Sequence, residues 1–312
     1  MHTLAILLSA PERLSLSRVE VIPPGDTDLV VEIDFSGIST GTERLLWTGR
    51  MPHFPGMGYP LVPGYESIGR VVDAGAQMQH RIGESVFVPG STNYVDVRGL
   101  FGGAARRVVV PAARVATLTQ DANQDAVLLA LAATAYHALV AASSPIDLII
   151  GHGALGRLLA RIAVAAGHAA PTVWEVNEAR RDAAQGYDVI APQDDSRKHY
   201  CSICDVSGDA AILDALIARL SPGGEIILAG FYDERPNFAF APAFMREMRL
   251  RIAAQWQPGD LAAVQALIAQ GKLDLSGIIT HTQEASTASD AYRMAFDDVD
   301  CLKMVLDWRA CS

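Results

Sequence analysis

The sequence predicts an α/β protein in two parts, an N-terminal β-barrel and a doubly wound parallel sheet. Three observations carry this. Residues 1 to about 125 alternate short apolar strands with turn residues and show no long helical pattern. From Ala126 onward helix and strand patterns alternate, as in a parallel sheet with crossover helices. Early in that alternation, Asp147-Leu-Ile-Ile-Gly-His-Gly-Ala-Leu-Gly156 reads as buried strand, glycine turn and helix start in immediate succession.

The first part resolves into strands at Leu4–Leu8, Ser15–Val21, Asp28–Phe35, Ser67–Val72, Ser85–Pro89 and Arg106–Val110. Turn residues divide them, among them Pro23-Pro-Gly-Asp26, Pro63-Gly64, Pro89-Gly90 and Gly102-Gly103. The segment Arg50-Met-Pro-His-Phe-Pro-Gly-Met-Gly-Tyr-Pro-Leu-Val-Pro63 is an irregular loop fixed by prolines and glycines. It also carries Met51, His53, Phe54, Met57 and Tyr59. So much apolar surface must pack on something. Either it packs on its own domain or it walls an apolar substrate cleft.

A helix is expected over Val127–Val140, then the strand and glycine turn at 147–156. The alternation continues with strand Thr172–Trp174, helix Ala179–Gly186, strand Asp188–Ile190 and strand Ile203–Val206. Helix Ala210–Leu220 and strands Gly224–Gly230 and Leu250–Ala254 follow. After Trp256 the pattern reads helix Leu261–Gln270, strand Gly277–His281, helix Ala288–Ala295 and strand Leu302–Trp308. The expected domains are 1–125, 126–255 and a C-terminal return over 256–312.

Composition narrows the class. The chain has 312 residues, enough for two cores, with 50% hydrophobic and 19% charged residues. A net charge of −10 argues against nucleic acid and anionic membrane surfaces. No apolar run approaches the ~20 residues of a transmembrane helix. The N-terminus lacks a basic n-region and reads as a first strand, so a cytoplasmic protein is expected. Cys201-x-x-Cys204 has no second pair at zinc-ligand spacing, and reads as small residues at a strand start.

Gly151, Gly153 and Gly156 have the G-x-G-x-x-G spacing that lets a backbone approach a pyrophosphate at a helix N-terminus. Glu175 follows Gly156 by 19 residues, at the end of an apolar stretch. There an acid binds adenosine ribose hydroxyls and repels a 2′-phosphate, so NAD is expected over NADP. Arg180 and Arg181 keep NADP open; on a solvated helix face they say nothing. His152 and Leu155 are counted with the glycines as cofactor residues. His152 either contacts cofactor or faces solvent, whereas His137 and His281 read as structural. Ser207 and Gly208, in the run Asp205-Val-Ser-Gly208 that ends one strand, and Gly230, at the end of the following strand, lie at the sheet edge where ligands bind. A plain strand-end turn explains those glycines equally well.

Local motifs across nearly the whole chain resemble the medium-chain dehydrogenase/reductase family. They are Val62-Pro-Gly-Tyr-Glu-Ser-Ile-Gly-Arg-Val71, Thr134-Ala-Tyr-His-Ala-Leu139, Leu273-Asp-Leu-Ser-Gly-Ile-Ile-Thr-His281 and Lys303-Met-Val-Leu306. The resemblance implies a GroES-like N-terminal barrel, a Rossmann domain and, through pairing of the edge strand Leu250–Ala254 across a two-fold axis, a homodimer. At the positions where zinc-dependent members carry their ligands, this chain has Ser39, Tyr65 and Ala130. A catalytic zinc needs three thiolate, imidazole or carboxylate ligands, so no metal is expected.

Gly37-Ile-Ser-Thr-Gly-Thr-Glu43, Val97-Arg-Gly-Leu-Phe-Gly-Gly103, Asp205-Val-Ser-Gly208 and Cys301-Leu-Lys-Met-Val-Leu-Asp-Trp308 are similar to one branch of the family. That branch serves bacteriochlorophyll synthesis. It implies a chlorin substrate whose 3-hydroxyethyl group is oxidised to 3-acetyl, with NAD⁺ as hydride acceptor. Sequence physics alone supports a zinc-free nicotinamide oxidoreductase with an apolar cleft.

Without zinc, another group must take the alcohol proton. Ser39, Tyr65 and Glu66 are the catalytic candidates, with Thr40 and Thr42 nearby. Tyr65 reads equally as a barrel-core tyrosine, and Glu66 as an anchor for a turn or an arginine. His53, Phe54, Met57 and Tyr59 are the substrate candidates. His53 is either an axial ligand to the pigment's Mg²⁺ or a packing residue. Two other functions stay open: a quinone or enoyl reductase of the same superfamily, and a binding protein that has lost catalysis.

Overall fold

The computed structural model describes residues 1–119, 122–232 and 234–311. The chain divides into two compact units, one of Met1–Ala130 with Ile278–Ser312 and one of Leu131–Gly277.

Two sheets in the first unit share one core. A four-stranded sheet runs in the order Arg13–Glu20, His2–Ala10, Leu61–Val62, Arg98–Gly99. A seven-stranded sheet is centred on the long strand Asp28–Ile38, with Ser67–Ala74 along one side. On its other side Arg107–Pro111 pairs with residues 28–32, and Met304–Asp307 pairs with residues 35–38. Register shifts at Val30/Val31 and Ile33/Phe35 bend the strand between these partners. Ala5 and Ile6 from one sheet meet Leu29, Val31, Ile33 and Val109 from the other, all fully buried. Apolar residues at alternate positions along half-buried strands produce this core.

The second unit is a six-stranded, all-parallel sheet. Its order is Asp188–Ile190, Thr172–Trp174, Leu148–Ile150, Tyr200–Asp205, Leu220–Leu228, Arg249–Ile252. In chain order this is the 3-2-1-4-5-6 arrangement, whose switch point lies between Leu148–Ile150 and Tyr200–Asp205. Helix Ala154–Ala165 follows the first of these two strands directly and buries its Leu158, Leu159 and Ile162 face.

Some element readings need correction. The helix expected over Ala179–Gly186 is only a 3₁₀ turn, Glu178–Arg180. Ala183 at φ 53 and Gly186 at φ 79 are left-handed and break the helical ladder. The strand expected over Gly277–His281 begins at His281 and runs to Glu284. Gly277, at φ 73, turns the chain just before it. Two helices escape the sequence pattern, Thr42–Thr48 and Phe240–Met245. At seven and six residues they are too short to display a period. Among the described residues no helix is long and apolar enough to cross a membrane.

Candidate active site

In the first unit, the strand Asp28–Ile38 delivers Ser39 to the start of helix Thr42–Thr48. Ser39 Oγ accepts the Thr42 N–H at 3.3 Å and the Tyr65 hydroxyl at 2.9 Å. The Ser39 N–H donates to Glu43 Oε1 at 3.3 Å, and Glu43 Oε2 accepts the Tyr292 hydroxyl at 2.6 Å. The Tyr65 ring stands edge-on to Phe101, with centroids 5.5 Å apart. Burial first, then the adjacent Glu66 carboxylate, pushes the Tyr65 hydroxyl above its ordinary range. At neutral pH Tyr65 is therefore a proton donor rather than a base.

Beside this chain lies a buried ion pair. Lys303 Nζ, on the C-terminal strand, donates to Glu66 Oε2, and both side chains are essentially inaccessible. Gly37 makes room for it: a Cβ there would lie 2.3 Å from Glu66 Oε2 and 3.0 Å from Lys303 Cε. Glu66 Oε1 is buried without a hydrogen-bond partner in the protein. Burial raises the Glu66 carboxyl, while the Lys303 ammonium pulls it back. Glu43 is fully buried as well; desolvation outweighs its bond to Tyr292 and lifts its carboxyl to about 7.

Sequence reasoning named Ser39, Tyr65 and Glu66, and the structure brings all three together. It did not name Glu43, Tyr292 or Lys303. Lys303 carried a signal, since a lone lysine in the apolar strand Leu302–Leu306 must find an acid if buried. The partner of Glu66 is thus a lysine rather than a turn or an arginine.

At the three positions where the family resemblance would place zinc ligands stand a serine hydroxyl, a tyrosine hydroxyl and the methyl of buried Ala130. The two hydroxyls are already bonded to each other. Neutral hydroxyls and a methyl do not match the thiolate, imidazole or carboxylate set that holds zinc. Among the described residues no three His, Cys, Asp or Glu side chains gather as a metal site.

The loop ahead of Leu61 packs on its own unit. Met51 joins Leu8, Leu46, Leu61 and Leu100 in a small core, and Phe54, Met57 and Tyr59 lie half-buried against it. The Tyr59 hydroxyl is bonded to the Leu46 carbonyl. His53 is exposed.

In the second unit the glycine turn has dinucleotide-binding geometry. Gly151 takes φ +99, which a side chain rarely allows. A Cβ on Gly156 would sit 1.9 Å from the Gly151 carbonyl oxygen, so the helix packs on the turn only with glycine here. A Cβ on Gly153 would meet nothing within 4 Å; that side of the turn is open. Gly153 also caps the helix Ala154–Ala165 without any side-chain hydrogen bond to its first turn. Leu155 is half-buried in that first turn. The Glu175 carboxylate accepts the His152 N–H at 2.9 Å and the Asn177 N–H at 2.8 Å, one on each oxygen. Each oxygen keeps a second lone pair for a ribose hydroxyl. These residues fit a dinucleotide.

The His152 ring turns inward, and the solvent-facing reading fails. Its Nδ1 lies 2.6 Å from the Arg180 carbonyl and its Nε2 lies 2.8 Å from the Tyr187 hydroxyl. A carbonyl only accepts, so Nδ1 carries the proton and Tyr187 donates to Nε2. Burial lowers the imidazole's proton affinity and keeps it neutral. His152 therefore pins the segment after Glu175 beneath the turn. Arg181 is tied to the Glu175 and Val176 carbonyls at 2.8 and 3.0 Å.

At the neighbouring strand end, Asp205 accepts the Ser207 N–H and hydroxyl and the Tyr232 hydroxyl. Gly208 and Gly230 press together: a Cβ on Gly230 would be 2.9 Å from the Gly208 nitrogen. Ser207, Gly208 and Gly230 thus form one lip at the end of the sheet.

Residues 25–120 match the alcohol dehydrogenase GroES-like domain. Solved structures with the same fold include an Escherichia coli CFT073 alcohol dehydrogenase complexed with NADH. It has a TM-score of 0.85 at 20% identity and covers 98% of this chain and 99% of its own. Another is a zinc-binding-type dehydrogenase of Sinorhizobium meliloti bound to NADP. Its TM-score is 0.82 at 17% identity, with 99% and 100% covered. A GroES-like unit and a six-stranded parallel sheet with a glycine turn give this chain the fold of the medium-chain dehydrogenases.

Full-length similarity is more specific. The 2-desacetyl-2-hydroxyethyl bacteriochlorophyllide A dehydrogenase of Cereibacter sphaeroides is 54% identical, with 99% of each chain covered. That of Rhodobacter capsulatus is 53% identical over the same shares. The chain belongs to the family of these bacteriochlorophyllide dehydrogenases.

Proposed function

We propose that this protein oxidises the hydroxyethyl side chain of a bacteriochlorophyllide to an acetyl group, using NAD⁺ and no metal. The carbon oxidised is the one that bears the hydroxyl in this side chain, which is the 3-substituent of the macrocycle. The observation that carries this reading is the 54% identity over 99% of the chain to a dehydrogenase of that name. The site chemistry supports it: the zinc-ligand positions hold a Tyr65–Ser39 hydroxyl pair.

Gly151, Gly153, Leu155 and Gly156 would hold the pyrophosphate, Glu175 the adenosine ribose, and Ser207, Gly208 and Gly230 the rim of the site. His152 serves through its backbone and by pinning the turn. Bound NAD⁺ supplies the hydride acceptor. The protein's own share is to orient the alcohol, whose proton is released to water as the hydride leaves the carbon. Ser39 accepts from Tyr65 and Thr42, so its own hydroxyl proton is free to engage the substrate oxygen. Tyr65 holds that serine in place, and Glu66 with Lys303 provides a fixed dipole beside it. The hydride leaves a carbon attached to a conjugated ring, which spreads the developing positive charge and reduces the need for a Lewis acid. Phe54, Met57 and Tyr59 offer apolar contact to the macrocycle, and His53 is a candidate axial ligand to its Mg²⁺.

We further infer a cytoplasmic homodimer. The edge strand Arg249–Ile252 exposes Leu250 and Ile252, and Phe240, Phe244 and Met245 are exposed nearby in sequence. Pairing such an edge with a second copy would cover it.

The test is direct. Purified protein is mixed with hydroxyethyl bacteriochlorophyllide and either NAD⁺ or NADP⁺, and the red shift of the acetyl product is followed. Conversion with NAD⁺, insensitive to chelators and poor on simple aliphatic alcohols, is expected. Chelator-sensitive turnover, or efficient turnover of aliphatic alcohols, sinks the metal-free mechanism.

A further inference from the structure

We propose that Arg98, set against the loop 50–60, is an anion subsite that holds a carboxylate side chain of the pigment. This rests on the bacteriochlorophyllide reading, because such a pigment carries its propionic side chain as a free acid.

Charge is distributed unevenly in this part of the chain. The protein carries a net −10, yet residues 44–65 contain Arg44, Arg50 and His53 and no Asp or Glu. Arg98 adds a further cation from the adjoining strand. Its strand pairs parallel with Leu61–Val62, in the register Arg98↔Leu61, and its N–H donates to the Pro60 carbonyl at 3.1 Å. The end of the loop and the arginine are therefore held together by backbone hydrogen bonds.

The guanidinium is fixed in place and still has donors to offer. It lies against Gly58, where a Cβ would be 3.1 Å from Arg98 Cζ and 3.2 Å from Nε. A Cβ at 58 would make the guanidinium give way by a few tenths of an ångström. Nη1 donates to the Tyr59 carbonyl at 3.2 Å. That uses one of five N–H donors. The side chain is exposed, and no carboxylate of the described residues pairs with it. An arginine anchored by one donor on a backbone carbonyl presents a preorganised fork to a carboxylate.

The spacing suits one ligand. Phe101, three residues beyond Arg98, packs on Tyr65 with ring centroids 5.5 Å apart. Three residues of chain span at most about 10 Å. That is comparable with the breadth of a tetrapyrrole, so a carboxylate at Arg98 and a hydroxyethyl group near Tyr65 can belong to one macrocycle. The half-buried Phe54, Met57 and Tyr59 belong to the same loop and offer apolar contact. Arg98 would set which pigment binds and in which orientation.

The test compares the free-acid pigment with its propionate methyl ester, on the wild type and on Arg98→Gln. The wild type is expected to show a KM for the acid on the order of tenfold below that for the ester. In Arg98→Gln that preference falls to near one, because the acid's KM rises. A wild type indifferent to esterification, or a variant that keeps the preference, overturns the subsite. If the wild type converts neither pigment, the functional reading fails instead. The subsite is then judged alone, by pigment fluorescence titration of acid and ester on both proteins.

Discussion

The Tyr65 hydroxyl donates to Ser39 Oγ at 2.9 Å, joining the end of the strand Asp28–Ile38 to the segment that follows Leu61–Val62. The bond orients the Ser39 hydroxyl, and burial keeps the Tyr65 hydroxyl protonated. Tyr65→Phe removes this bond and keeps the ring on Phe101. The expected result is a fall in kcat of about 10–100-fold with little change in KM. Steady-state kinetics on the pigment measures it, and an unchanged kcat would remove Tyr65 from the mechanism.

Glu43 makes stability depend on pH. Its carboxyl rises from 4.5 in the unfolded chain to about 7 when folded. The folded state thus binds the proton more tightly. The stabilisation is complete below about 4.5 and is lost as pH rises through about 7. The full difference is on the order of 3 kcal/mol. Glu43→Gln keeps the size of the side chain and removes the titration. Urea unfolding between pH 5 and pH 8 is expected to show a wild type that weakens with pH and a variant that weakens less.

Lys303→Met leaves the Glu66 carboxylate buried and unpaired. A loss of about 3–5 kcal/mol is expected. The double change Lys303→Met with Glu66→Leu recovers most of it, because neither charge then needs a partner. Denaturant midpoints of the three variants measure this. If the double variant is as unstable as the single one, packing rather than charge holds the site.

Gly156→Ala places a methyl group against the Gly151 carbonyl, where a Cβ has only 1.9 Å. The turn must open, and nucleotide affinity is expected to fall at least tenfold. Glu175→Gln keeps the turn but weakens discrimination against a 2′-phosphate, so the NAD⁺/NADP⁺ ratio of kcat/KM drops. Isothermal titration and paired kinetics separate the two effects.

Ile252 is 66% exposed on the edge strand Arg249–Ile252. Ile252→Asp puts a charge into any strand-to-strand interface there. Sedimentation is expected to show a dimer for the wild type and a monomer for the variant. A monomeric wild type would end the dimer proposal.

Much of this molecule was legible in the sequence because local patterns encode it. Thr172–Trp174 and Asp188–Ile190 are strands with the expected bounds, since short β-branched runs between turn residues leave little choice. The glycine turn was legible because Gly151 and Gly156 each answer a steric demand, while Gly153 leaves one side of the turn open. Ser39, Tyr65 and Glu66 were legible as positions but not as a network, because their partners are remote in the chain. The segment 179–186 was misread because alanine favours a helix, and a left-handed Ala183 leaves no mark in composition. The inward turn of His152 depends on Tyr187 and on the Arg180 carbonyl, and no spacing rule connects them.

Glu43 and Glu66 find Tyr292 and Lys303 across 249 and 237 residues of chain. During synthesis both carboxylates leave the ribosome long before the groups that neutralise or bond them. In the half-built unit a charged Glu66 would lie in the interior without its counter-ion, which disfavours closing it. The first unit is therefore expected to close around Glu66 only once the C-terminal strand has arrived.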